Sequence, residues 1–127
     1  MTIRILLAED DAAMRHYLSR ALRHAGYLVD AVDRGTAALP LLRAGEYDLL
    51  LSDIVMPEMD GIELAQQCAQ ISPFTRVMFI TGFAAVSLTS HDGMGQPARM
   101  LSKPFHLKDL VAEIERVFDD ASTTASR

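Results

Sequence analysis

The chain has one cysteine, Cys68, so it lacks the second thiol that an internal disulfide requires. No stretch of about 18 apolar residues occurs, which leaves no candidate for a transmembrane helix. The opening, "MTIRILLAEDD", turns acidic too soon for a secretory core, which takes about 7–15 apolar residues and a cleavage site. Positive charge is also scarce. Asp and Glu number 17 against 12 Lys and Arg, for a net charge of -5 and a pI near 5.2. Bulk charge therefore gives no reason to expect a nucleic-acid partner. The expected compartment is cytoplasmic, with no membrane partner.

What is present is apolar sequence in quantity. Half of the 127 residues are hydrophobic, enough for one domain with a real core and too many for a disordered chain. Short apolar runs alternate with amphipathic stretches. Strands are predicted over 3–8, 27–32, 47–53, 76–81 and 98–102. Helices are predicted over 13–26, 34–45, 61–71 and 107–118. In the first helix Met14, Leu18, Ala21, Leu22 and Ala25 share a face, Asp11 is the expected N-cap and Gly26 the expected C-terminal stop. Pro40 conflicts with the second helix, since proline fits only near a first turn, and predicts a short or kinked element. In the last helix Leu107, Leu110, Val111, Ile114, Val117 and Phe118 share a face. The segment 83–97, "FAAVSLTSHDGMGQP", predicts at most a short or irregular further helix, near 84–90, and then a loop. Residues 1–118 form one expected domain, and 119–127, "DDASTTASR", a polar frayed tail.

Strands apolar on both faces, each followed by a helix, imply a parallel sheet covered on both sides. The expected architecture is α/β, a flavodoxin-like doubly wound sheet of five strands in the order 2-1-3-4-5. Ligands of such folds sit at the carboxyl ends of the strands. Polar residues interrupt the apolar runs at those ends: Glu9 and Asp10 after the first strand, Asp53 closing the third, Thr81 closing the fourth and Lys103 after the fifth.

Each of these alone is ordinary: a strand-end Asp is usually a turn or cap residue, and "EDD" before a helix is a capping device. Their joint position is the signal. Two carboxylates about 4 Å apart repel by roughly 4 kcal/mol at an effective dielectric of 20. Such a cluster calls for a cation, and an all-oxygen donor set suits Mg²⁺. Lys103 adds a fixed positive charge and Thr81 a neutral donor. The set suits an incoming phosphoryl group beside the metal, with Asp53 as the nucleophile that forms an aspartyl phosphate. Gly61 is expected to allow a positive-φ turn before the third helix, and Pro57 to stiffen the loop after Asp53.

"LLAEDD", "SDIVMPEMDG" and "ITG" followed by "LSKPF" resemble the receiver domain of two-component response regulators, over about residues 3–118. The resemblance implies an acidic pair at Glu9 and Asp10, a phosphoacceptor at Asp53, a switch hydroxyl at Thr81, a lysine at Lys103 and a metal ligand in the Val55 backbone carbonyl. It implies a regulator and not an enzyme, with at most self-phosphorylation from a donor and slow self-dephosphorylation. A histidine kinase or histidine phosphotransferase is the implied partner, and a monomer or weak dimer the implied state. Two departures stand out: Glu9 replaces Asp, with an arm long enough to reach a metal through water, and Met100 takes the usual place of an aromatic switch residue.

A narrower likeness, in "SDIVMPEMDGIELA", "VMFITGFAAV" and "LSKPFHLKDLVAEI", is to single-domain regulators of alphaproteobacterial cell cycles. It implies a phosphorylation-controlled adaptor that docks on ClpX of the ClpXP protease in its unphosphorylated form. With no output domain read, the effect is expected through protein contacts. A phosphate shuttle or sink in a phosphorelay is the alternative. A haloacid-dehalogenase-type Mg²⁺-dependent phosphatase fits less well, because "LAEDDAAM" lacks the D-x-D spacing after strand one. A flavodoxin-like cofactor binder fits poorly with an acidic first loop.

Other polar and aromatic residues carry bland readings beside sharper ones. Arg15, Arg20, Arg23 and His24 form a solvated helix face or a docking face. Phe83 and Phe105 are core or partner contacts. His91 with Asp92 is a solvent-facing loop pair. Met56 and Met59 pack the Asp53 loop or meet a partner.

Overall fold

The computed structural model describes residues 2–81, 99–102 and 107–125. Five strands, β1 (Arg4–Ala8), β2 (Leu28–Val32), β3 (Leu49–Asp53), β4 (Arg76–Thr81) and β5 (Arg99–Ser102), pair in parallel in the order β2-β1-β3-β4-β5. The predicted doubly wound order is therefore found. Four helices are described: α1 (Ala12–His24), α2 (Gly35–Ala44), α3 (Gly61–Ile71) and α4 (Leu107–Ala125). The predicted irregular helix of 83–97 lies outside the described residues.

The central strands β1 and β3 are buried on both faces, and alternate side chains feed two cores. Ile5, Leu7, Leu49, Leu51, Met78 and Ile80 meet Leu18 and Leu22 of α1 and Leu110, Ile114 and Val117 of α4. Leu6, Ala8 and Leu50 meet Ala38 and Leu42 of α2 and Leu64 and Cys68 of α3 on the other side. Phe79, fully buried, packs with Ile54 and Ala65. Burial raises the Cys68 thiol to about 11, so it behaves as a small hydrophobe.

The helix ends follow their chemistry. Asp11 caps α1 by accepting the Met14 N–H at 3.1 Å. Gly26, at φ 105, ends it in a Schellman motif: the Gly26 N–H reaches the Arg23 carbonyl at 3.0 Å and the Tyr27 N–H the Leu22 carbonyl at 3.1 Å. Pro40 lies inside α2, not in its first turn, and does not cut the helix. The loss there is one backbone donor, facing the Thr36 carbonyl. The backbone of α4 runs to Ala125, beyond the end predicted at 118, so much of the expected frayed tail is helical.

Register decides what meets at the carboxyl edge. Ala8 pairs with Ser52, Asp53 with Ile80 and Thr81 with Ser102. The residues that end or follow β1, β3 and β4 therefore emerge on one rim.

Candidate functional site

Glu9 continues the line of β1, its N–H donating to the Val32 carbonyl at 3.1 Å. It is fully buried, and its Oε2 accepts the Asp11 N–H at 3.1 Å. Asp10 beside it is exposed. Asp53 ends β3 with only 7% of its surface exposed, and its Oδ1 takes the Val55 N–H at a long 3.4 Å. One carboxylate oxygen from each of Glu9, Asp10 and Asp53 lies within 4.8 Å of the other two. Two carboxylates of the three are thus held inside the protein and the third faces water.

This donor set fits a hard divalent ion. Oxygens on an octahedral ion with bonds of about 2.1 Å stand about 3 Å apart when adjacent and about 4.2 Å when opposite. Mutual separations within 4.8 Å are of that scale, for ligands bound directly or through a water.

The loop after Asp53 is built to hold that residue still. The Gly61 N–H donates to the Ile54 carbonyl at 2.7 Å. A Cβ on Gly61 would lie 2.1 Å from the Asp53 carbonyl oxygen, so the close approach is what demands glycine there. The positive φ expected at Gly61 falls instead on Glu58, at 69°. The Met59 N–H reaches the Pro57 carbonyl at 2.8 Å around it, a γ-turn of the rare positive-φ kind. Arg34 holds Glu58 from outside at 3.2 Å and also pairs with Asp33 at 3.1 Å. The Arg34 hydrogen bond is the main reason the Asp33 carboxyl sits below its usual range. Met56 is buried in the α2–α3 core and Met59 is packed beside it, so both methionines serve loop packing. The Ser52 hydroxyl donates to the Asp53 carbonyl at 2.8 Å.

The predicted set is thus described in part. Glu9, Asp10 and Asp53 come together. Val55 follows Asp53 with most of its surface exposed. Thr81 is described as the last residue of β4 and Met100 as part of β5. Lys103, Phe83, Phe105, His91 and Asp92 lie outside the described residues. Arg15 is where the sequence reading fell short. It is half-buried, not on a solvated face, and its Nη1 donates to the Glu9 carbonyl at 2.9 Å. Its place in the first turn of a helix that directly follows an acidic pair was the available signal.

The chain matches the family model "Response regulator receiver domain" over residues 5–115. It is 55% identical over 114 residues to the response regulator receiver protein CpdR of Brucella abortus, covering 90% of this chain and 95% of that protein. It is 33% identical to the sensor kinase CckA of the same organism, covering 91% of this chain and 12% of that longer protein. Among solved structures, the response regulator protein TrrA from Thermotoga maritima, in complex with Mg(2+)-BeF, superposes with a TM-score of 0.78 at 28% identity. That match covers 91% of this chain and 98% of TrrA.

Proposed function

The chain belongs to the response regulator receiver family, closely related to the single-domain regulator CpdR, and we propose that Asp53 is its phosphoacceptor in a two-component phosphorelay. The observation that carries the reading is the convergence of Asp53 with Glu9 and Asp10 at the carboxyl edge of the sheet. The phosphatase and flavin-type alternatives draw no support from the family match.

In this reading an Asp53 carboxylate oxygen attacks the phosphorus of a phosphohistidine on the donor protein. The P–N bond breaks, its electron pair stays on the imidazole nitrogen, and an acyl phosphate forms on Asp53. Glu9, Asp10, Asp53 and the Val55 carbonyl would hold Mg²⁺. A bound Mg²⁺ supplies positive charge that offsets the carboxylates and the phosphoryl oxygens. TrrA, solved with Mg(2+)-BeF, supports that choice of ion. Thr81 donates a hydroxyl hydrogen bond to a phosphoryl oxygen, and Lys103 pairs its ammonium with another. The firm Gly61 loop keeps the Asp53 backbone from drifting as the charge changes.

The chain then passes its state on by protein contact, as a phosphorylation-controlled adaptor for ClpXP in cell-cycle control. The high identity to CpdR along nearly its whole length supports this over a simple phosphate sink. The family supports a histidine kinase, acting directly or through a histidine phosphotransferase, as the donor. Among the described residues no helix is long and apolar enough to cross a membrane, and the cytoplasm is the proposed compartment.

The test is incubation with acetyl phosphate and Mg²⁺, read by intact mass beside Asp53→Ala. The expected result is one added phosphoryl group on the wild type and none on the variant. Substrate degradation by ClpXP is then compared with and without the chain. An assay in which neither wild type nor Asp53→Ala changes degradation rejects the adaptor role.

A further inference from the structure

We propose that Arg15 is a positioning residue for the carboxylate cluster, holding the end of β1 in the arrangement that receives a divalent cation; the proposal rests on the phosphoacceptor reading above. The Arg15 guanidinium grips the Glu9 carbonyl at 2.9 Å while the Glu9 N–H is bound to the Val32 carbonyl at 3.1 Å. The Glu9 peptide groups are thereby tied to α1 on one side and to β2 on the other. The Glu9 side chain is fixed as well, through the Asp11 N–H on Oε2 at 3.1 Å. Asp11 closes the circuit, because its own carbonyl accepts the Arg15 N–H at 2.8 Å. The chain leaving β1 is thus anchored at Glu9 and at Asp11, on either side of Asp10.

The anchor acts against its own charge. A guanidinium bound at the Glu9 carbonyl brings positive charge near the cluster, so on electrostatics alone its removal strengthens cation binding. Positioning works in the opposite direction. Without the anchor, the end of β1 must be ordered each time an ion binds, and that ordering weakens binding. The two effects differ in sign, so one titration separates them. Arginine suits the task because its planar fork holds a fixed direction, whereas the lysine ammonium is a point charge on a flexible stem.

The experiment is calorimetric titration of Mg²⁺ into the full chain, wild type, Arg15→Ala and Arg15→Lys. Loss of outer-shell partners at metal sites costs about 10–100-fold in affinity. One backbone bond belongs at the low end, so Arg15→Ala is expected to raise the Mg²⁺ Kd about tenfold. Arg15→Lys is expected to fall between the two. Amide exchange without metal gives a second readout: the Glu9 and Asp11 amides speed up in Arg15→Ala, while those of Leu50 and Leu51 do not change. A Kd in Arg15→Ala equal to or below that of wild type overturns the proposal. Should that variant fail to fold, Arg15→Lys decides, and a Kd equal to wild type overturns it. A folded wild type that takes no Mg²⁺ overturns the phosphoacceptor reading and this proposal with it.

Discussion

At the amino ends of the strands, Arg4 lies over the Tyr47 ring at 4.9 Å and within 3.8 Å of Asp30, and the Tyr47 hydroxyl donates to Asp30 at 2.6 Å. The Arg4 N–H meets the Asp48 carboxylate at 2.8 Å, and the Thr75 hydroxyl meets the Tyr47 carbonyl at 2.7 Å. At the carboxyl ends, Glu9, Asp10 and Asp53 are gathered against one another. At one end of the sheet Asp30 and Asp48 each meet a donor or a cation of the neighbouring elements, whereas at the other three carboxylates share one small region, where backbone N–H groups meet Glu9 and Asp53. The first arrangement serves stability. On the proposed reading the second lowers stability until a cation arrives, and that differential would make it a binding site. Perturbing each end by a comparable change tests the contrast.

The largest effect is expected from Gly61→Ala. The new Cβ would meet the Asp53 carbonyl at 2.1 Å and the Ile54 Cα at 2.9 Å, both backbone atoms that no side-chain rotation relieves. Overpacking of this kind should cost about 3 kcal/mol in urea unfolding and should also slow labelling of Asp53. A variant as stable as wild type would mean that the loop yields easily, against the reading of a firm support.

Next is the amino end. Tyr47→Phe removes the hydrogen bond to Asp30 and is expected to cost about 1 kcal/mol at neutral pH. Burial, then the Asp30 hydrogen bond, push the Tyr47 hydroxyl up to about 12 from an ordinary 10. The folded value lies above the unfolded one, so the neutral phenol is the form that the fold favours. Its contribution is whole below pH 10 and lost as pH rises to 12. Two units correspond to about 2.7 kcal/mol, and water around the half-exposed Asp30 lowers this to about 2 kcal/mol. The wild-type advantage over Tyr47→Phe should therefore vanish within that window and reverse by its upper end. The comparison belongs in a Cys68→Ala background, because the Cys68 thiol, raised from 9 to about 11, loses its own contribution as pH rises from 9 to 11.

The carboxyl-end half of this contrast was legible in the sequence, for identifiable reasons, and the amino-end network was not. Strands such as "LLLSD" are apolar on both faces, so their existence and parallel pairing follow from composition. Glu9, Asp10 and Asp53 stand out because each interrupts such a run. Three further features were not legible. Gly61 was assigned a turn conformation when its role is contact with the Asp53 backbone, which no single stretch of sequence displays. The Arg15 bond joins a helix to a strand end and depends on a side-chain direction that periodicity does not report. The continuation of α4 past Phe118 was missed because "DDASTTASR" carries no apolar spacing, whereas a helix already nucleated propagates without it.

The smallest effect, at the carboxyl end, tests the sign of the contrast. Asp53→Asn keeps the side-chain shape and removes one like charge. It should stabilise the metal-free protein, by about 1 kcal/mol once solvent at exposed Asp10 has screened the repulsion. Mg²⁺ at ten times its Kd should stabilise wild type by about 1.4 kcal/mol, whatever that Kd is. At the same ion concentration the variant should gain much less, since it offers one carboxylate fewer. The stability order of the two proteins then narrows or inverts as Mg²⁺ is added, whereas Tyr47→Phe keeps the same distance from wild type throughout. Urea unfolding at fixed Mg²⁺ steps reads both. If Asp53→Asn destabilises the metal-free chain instead, the carboxyl edge is a stabilising network like the amino edge, and the strain attributed to the gathered carboxylates does not exist.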